Sequence, residues 1–273
     1  MQTKKIGFIG AGNMTQSIIS GLVSSGYPED SIMASNRSTA KLDKLENELG
    51  IQVSTNNNEV LNFADIVVLS VKPQIMADVL SALDSEKIKP ETVFVSIAAG
   101  IPVQRLSAML PEARKWVRAM PNTPSAVGLG MTGLYATPMV SKEDRALCTE
   151  AMQAIGEILW VDEEQQIDGV IAAAGSAPAY FFLFLEAMQN EALAMGFDRH
   201  QSRLLVQQAM RGAAEMVIQH QDVELATLRQ NVTSKGGTTA EAVNTLIEGQ
   251  LPDLVSRAMQ AAVNRAQQMS SQF

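Results

Sequence analysis

The chain has 273 residues, 46% of them hydrophobic and 18% charged, which is enough apolar mass for two domains. A net charge of −8 and a pI near 4.9 argue against a nucleic-acid partner, which needs a basic face. Cys148 is the single cysteine, so there is no internal disulfide, and with only His200 and His220 beside it no metal site is expected.

In chain order, the first signal is a strand, a glycine turn and a helix. Lys5-Ile6-Gly7-Phe8-Ile9 is a short apolar run of the buried-strand kind. Gly10-Ala11-Gly12-Asn13-Met14-Thr15 follows, and Ile18, Ile19, Leu22 and Val23 then recur at helical spacing up to a stop at Gly26. This is the first half of a βαβ dinucleotide-binding unit. Gly10 allows the tight turn, Gly12 lets backbone approach a pyrophosphate, and the N–H groups opening the helix face the phosphate charge. Thr15 departs from the pattern, because a glycine or alanine is usual there. Its β-branched side chain is expected to hold helix and strand slightly further apart.

Ile32-Met33-Ala34 reads as the second strand, and Thr39 to Leu49 as a helix with Leu42, Leu45 and Leu49 inward and Gly50 as its stop. The runs Asp65 to Ser70, Thr92 to Ile97 and Lys115 to Ala119 read as further strands, and Met131 to Tyr135 and Ile158 to Val161 extend the set. Continuous apolar strands between helices predict a parallel sheet covered on both faces.

The end of the second strand usually decides the cofactor. An acid there bonds the ribose 2′-hydroxyl of NAD, whereas a basic residue accommodates the 2′-phosphate of NADP. Here the strand ends Ser35-Asn36-Arg37-Ser38, with no acid. Arg37 offers a charged fork and Asn36 a neutral hydrogen bond, so NADPH is favoured, with NADH as the weaker alternative. Three later strand ends should border the nicotinamide: Val71-Lys72-Pro73, Ala98-Ala99-Gly100 and the stretch around Asn122. Ala98, Ala99 and Gly100 are small enough for backbone to approach a flat ring. Lys72 reads equally well as a surface charge.

From Glu163 onward no strand is expected. Pro178 to Met195 is apolar nearly all round and needs burial on most sides, which a domain of this size has difficulty supplying alone, so a partner subunit is expected to help. Leu204 to Val217, Leu225 to Asn231, Thr239 to Glu248 and Leu251 to Gln268 complete the helices, and the tail from Gln267 to Phe273 is expected to fray. The predicted boundary places a dinucleotide-binding domain at 1–162 and an all-helical domain at 163–273. The first apolar run is too short for a signal peptide, and no segment reads as the roughly 20 apolar residues of a membrane span, so a cytoplasmic protein is expected.

Taken together, Ile6 to Met14, Val71-Lys72-Pro73, Ser96 to Gly100, Arg118 to Pro124, Gly175 to Tyr180 and Gly236-Gly237-Thr238-Thr239 resemble the pyrroline-5-carboxylate reductase family over essentially the whole length. The resemblance implies an N-terminal Rossmann domain and a helical C-terminal dimerisation domain. It also implies a homodimer that in this family often assembles further, commonly into decamers. The implied reaction is reduction of L-1-pyrroline-5-carboxylate to L-proline by NADPH. Lys235 and Ala177 stand where proline and glycine are common in the family, which touches the rigidity of the substrate loop.

A small cyclic imine with one carboxylate needs an anion cradle and a donor near its nitrogen. Thr238 and Glu241 have capping-box spacing, so a helix should begin there, with the N–H groups of Gly237, Thr238 and Thr239 converging on one spot. An ordinary loop capping an ordinary helix fits these residues equally well. By resemblance, the Thr239 hydroxyl lies beside the imine nitrogen and Gly236 and Ser234 belong to the cradle. Ser176 reads equally as a helix cap or a substrate contact. Among rivals, a β-hydroxyacid dehydrogenase would use a lysine on the first long helix of the second half, and no lysine occurs between Lys142 and Lys235. Reduction of a different cyclic imine is a second rival, and non-catalytic NADP(H) sensing is a third.

Overall fold

The computed structural model describes residues 3–272, with the side chains of 271 and 272 left aside. Eight strands, β1 (Ile6–Ile9), β2 (Ile32–Ser35), β3 (Gln52–Ser54), β4 (Ile66–Leu69), β5 (Val93–Ser96), β6 (Lys115–Met120), β7 (Gly130–Ala136) and β8 (Gly156–Trp160), form one sheet in the order β3-β2-β1-β4-β5-β6-β7-β8. The first six are parallel; β7 runs antiparallel to β6, and β8 is parallel to β7. The strand order reverses between β1 and β4, and ligands of open α/β sheets bind at such a switch point.

Successive residues of β1 and β4 serve opposite faces, as the two-residue period of a strand requires. Ile6, Phe8, Ile66 and Val68 join one core with Ile18, Ile19 and Leu22 of α1 (Asn13–Ser24) and Leu42 and Leu45 of α2 (Thr39–Leu49). Ile9, Val67 and Leu69 join the other, with Val60 of α3 (Asn57–Phe63), Leu80 of α4 (Met76–Ser81) and Leu106 of α5 (Val103–Met109). The N-terminal reading thus holds in kind, but it passed over β3 and α3 to α5, and also α6 (Lys142–Gln153). The last carried a usable signal: Ser141 accepts from the Asp144 N–H at 3.1 Å while Asp144 accepts from the Ser141 N–H at 3.2 Å, a complete capping box.

The described residues fall into two compact units. One runs to Pro178 and takes back the chain from Ala261 onward; the other is Ala179–Gln260. The expected boundary at 162/163 lies before α7 (Gln166–Val170) and a π turn at Ile171–Gly175, both of which the first unit contains. Ile167 and Val170 are buried, and Gly133 of β7 leaves room for the Val170 side chain.

The second unit contains α8 from Ala179 on (the helix is Ala177–Ala194), α9 (Arg199–Gln219), α10 (Leu225–Asn231), α11 (Thr238–Glu248) and the start of α12 (Leu251–Gln272). Among its described residues only Ser202 and Val206 are buried. Phe181, Phe182 and Leu183 are 55%, 64% and 68% exposed, so much of the apolar helix read from the sequence is left uncovered by the described residues of one chain. Phe181, Phe184, Met188, Val206 and Met210 line a groove of about 320 Å³ between α8 and α9. By length and composition the helical stretch Gln166–Ala194 could also cross a membrane, which corrects the reading that no segment approaches a span. The frayed tail is corrected too: α12 continues to Gln272, and Phe273 lies outside the described residues.

Candidate functional site

The cofactor half lies at the switch point. Gly10 has a φ of +105°, and a Cβ there would sit 2.6 Å from the Ser70 carbonyl oxygen, so the turn admits no other residue without strain. Gly12 is the N-cap of α1 and makes no side-chain cap, and a Cβ added to it would meet nothing within 4 Å. The first turn of α1 holds no acid. Uncapped N–H groups of Asn13 and Met14, open space at Gly12 and no competing negative charge fit a dinucleotide pyrophosphate.

Thr15 is not a spacer but a stitch. It is fully buried, and its hydroxyl pairs with the Gly10 carbonyl at 2.8 Å and with the Ser70 hydroxyl at 2.6 Å, tying the turn to the end of β4. Asn36 reaches back to accept from the Ala11 N–H at 3.4 Å and donates to the Ser38 carbonyl at 3.0 Å. Arg37 is exposed and makes no ion pair among the described residues, which leaves its guanidinium available to a phosphate. Lys72 is exposed and precedes the short helical turn Pro73–Ile75, with Val71 half-buried beside it.

Ala98 is buried and Ala99 half-buried at the end of β5. Gly100 is small for a structural reason as well. Its φ is +78°, and a Cβ there would lie 2.8 Å from the Met269 Cβ, so its smallness accommodates the end of α12. Asn122 is buried, and both ends of its amide are engaged: Nδ2 donates to the Ala174 carbonyl at 3.1 Å, and Oδ1 accepts from the Met131 N–H at 2.9 Å. Ser176 does not open α8 as an N-cap: its backbone is helical (φ −90°, ψ −21°) and it closes the π turn, its N–H donating back to Ile171 at 2.7 Å in the five-residue spacing. Such turns recur at functional positions.

Sequence reasoning passed over a charge cluster behind these loops. The buried Arg118 guanidinium of β6 pairs with the half-buried Glu164 at 2.9 Å, and the same carboxylate oxygen accepts the Val103 N–H at 2.7 Å. Burial pushes the Asp168 carboxyl above its usual range, against the pull of Arg118 and a hydrogen bond from Gln267. An arginine inside an apolar strand was the available signal.

The loop expected to hold substrate is the one that leads into α11. The helix starts at Thr238 as expected, but its N-cap is Gly237 and no capping box forms. The Gly237 N–H is taken by the Ser234 carbonyl at 3.0 Å, which removes it from the expected cradle. The N–H groups of Thr238 and Thr239 precede the first intrahelical donor and carry no side-chain cap. Ser234, Gly236, Thr238 and Thr239 are exposed. The loop therefore presents two free N–H donors and three hydroxyls, an arrangement suited to one carboxylate and one neighbouring acceptor.

Both halves of the chain match known proteins. Residues 164–269 match the family described as pyrroline-5-carboxylate reductase dimerisation, and residues 5–100 match NADP oxidoreductase, coenzyme F420-dependent. The chain is 55% identical over 273 residues to pyrroline-5-carboxylate reductase of Vibrio alginolyticus, covering 100% of both. It shares 39% identity and a TM-score of 0.93 with the solved reductase of Coxiella burnetii, covering 98% of this chain and 99% of that one. The Plasmodium falciparum enzyme, solved with NADP bound, gives 28% identity and a TM-score of 0.85, covering 99% of each chain. With a Rossmann half, a helical half that matches a dimerisation domain and full-length identity of this order, the chain belongs to the pyrroline-5-carboxylate reductase family.

Proposed function

We propose that this protein reduces L-1-pyrroline-5-carboxylate to L-proline, with residues 1–162 as the NADP(H)-binding domain and 163–273 as the dimerisation and substrate domain. The observation that carries the reading is the pair of uncapped helix starts, at Gly12 and at Gly237, each suited to an anion. When bound, NADPH supplies the hydride that reduces the carbon–nitrogen double bond.

The chain's own residues bind and orient. Gly10, Ala11, Gly12, Asn13 and Met14 hold the pyrophosphate, and Asn36 and Arg37 hold the adenosine end, Arg37 on the 2′-phosphate. Val71, Lys72, Pro73, Ala98, Ala99 and Gly100 frame the nicotinamide side. The N–H groups of Thr238 and Thr239, with the Ser234 hydroxyl, hold the substrate carboxylate, while Gly236 and Gly237 shape the turn. The Thr239 hydroxyl stands at the imine nitrogen, and Ser176 is a further substrate contact. A protonated imine accepts hydride readily, so holding the reactants in order supplies most of the catalysis.

The bare face of α8 is assigned to a second copy of the chain, not to a bilayer, giving a homodimer in the cytoplasm that assembles further, with a decamer as the expected size. Loss of NADPH absorbance on adding the imine tests the function. Wild-type turnover with a large loss in Thr239→Ala supports it; NADPH binding without turnover refutes it. Arg37→Ser should raise the KM for NADPH and leave that for NADH nearly unchanged.

A further inference from the structure

We propose that Asn122 is a positioning residue that replaces a hydrogen bond Pro178 cannot make, and so holds the π turn that presents Ser176. In an α-helix the Ala174 carbonyl would accept from the N–H of residue 178, and proline has none. The Asn122 Nδ2 fills that place from another element, at 3.1 Å. Its Oδ1 is fixed in turn by the Met131 N–H at 2.9 Å, so the amide can present its donor in one orientation only. The chain next to the orphaned carbonyl is in the π turn, where Ser176 donates to Ile171 at 2.7 Å instead of to Ala172. Met120, two residues before Asn122, packs its terminal methyl toward Gly175, where a Cβ would meet it at 3.4 Å. The end of β6 thus grips the π turn by one hydrogen bond and one apolar contact.

Without the Asn122 donor, the carbonyl of the half-buried Ala174 is unsatisfied, and the turn gains by shifting register, which carries Ser176 with it. The consequence for turnover rests on the proposed contact between Ser176 and the substrate. The distinguishing prediction is a coupling. Restoring an N–H at 178 with Pro178→Ala gives the Ala174 carbonyl a partner within its own helix and makes the Asn122 donor dispensable.

The test is a double-mutant cycle with Asn122→Asp, which keeps the acceptor for Met131 and removes the donor, alone and with Pro178→Ala. Thermal midpoint, NADPH dissociation constant by cofactor fluorescence, and KM for pyrroline-5-carboxylate are read for each. In the native background Asn122→Asp should raise the substrate KM about tenfold and lower the midpoint, with NADPH affinity unchanged; in the Pro178→Ala background both costs should shrink to about twofold or less. Equal costs in the two backgrounds overturn the inference. A rise in the NADPH dissociation constant in both overturns it as well, because it marks direct contact with the cofactor. Coupled midpoints with an unmoved KM overturn the positioning role. A wild-type chain without turnover overturns the proposed function and the substrate half of this inference, while the coupling of midpoints still decides the hydrogen bond. Should Asn122→Asp not fold, Asn122→Ser in the same two backgrounds is read on the coupling alone, because the stranded Met131 N–H is a cost common to both backgrounds and cancels in the cycle.

Discussion

Glu164→Ala should be among the most destabilising single changes outside the apolar cores. The Arg118 side chain is 6% exposed and that of Glu164 24%, and they meet at 2.9 Å. Removing one partner of a buried pair leaves an uncompensated charge and typically costs about 3–5 kcal/mol. Two features place this pair at the low end. Glu164 is partly solvated, and Asp168 lies close enough to Arg118 for the arginine to pull its titration down. Against that, the variant also strands the Val103 N–H, which Glu164 accepts at 2.7 Å. A loss of about 3 kcal/mol is expected, which at roughly 2–4 °C per kcal/mol for a protein near this size lowers the midpoint by about 6–12 °C. Thermal and urea unfolding followed by circular dichroism measure it. The double variant Arg118→Met with Glu164→Leu should lose less than Glu164→Ala alone, since it leaves no buried guanidinium unpaired, and Asp168, without the pull of Arg118, takes up a proton more readily. Asp168 should then titrate lower in Glu164→Ala, because the repulsion from Glu164 that raises it is gone. A single-variant loss below about 1 kcal/mol, or a double variant worse than the single, would refute this account of the cluster.

Burial, with Asp144 nearby, pushes the Cys148 thiol up to about 12, so a disulfide reagent should leave the native protein unmodified at neutral pH and react on unfolding. Because the folded state favours the neutral thiol, that contribution to stability is complete below the ordinary thiol range and fades as pH climbs from there toward about 12, which alkaline unfolding curves of wild type and Cys148→Ala would show. Gly100→Ala combines a φ of +78° with a Cβ 2.8 Å from the Met269 Cβ, and should cost about 1–3 kcal/mol in urea unfolding; Met269→Ala keeps that Cβ and should relieve little of it, whereas Met269→Gly should relieve the packing share. Leu183→Glu, on a side chain 68% exposed in one chain, should shift the elution volume toward the monomer while a surface change of ordinary cost would not.

What the sequence made legible was local. The strand, the glycine turn at Gly10 and the helix after it follow one another without interruption, and each carries its own propensity, so they were readable without the fold. The start of α11 at Thr238 was readable for the same reason, although the chain caps it with Gly237 and leaves the threonine hydroxyls free. What escaped was every role conferred by a residue distant in sequence. Gly100 looked only like a residue kept small for a ligand, because Met269 is invisible from position 100. Thr15 was read only as a spacer between helix and strand, because Ser70 was not in view. Asn122 is the informative case. Its partner Ala174 is 52 residues away, and nothing near Asn122 points to it. Yet a trace of the bond was present in the sequence, at the other end. Pro178 falls in the first turn of α8, where proline is ordinarily harmless, but the π turn Ile171–Gly175 runs directly into it, so the carbonyl four residues back lacks the donor a continuous helix would give it. Ala174 therefore had to find a donor elsewhere, or remain unsatisfied. A proline inside a helical stretch thus states a requirement for a donor, and the fold shows which residue meets it.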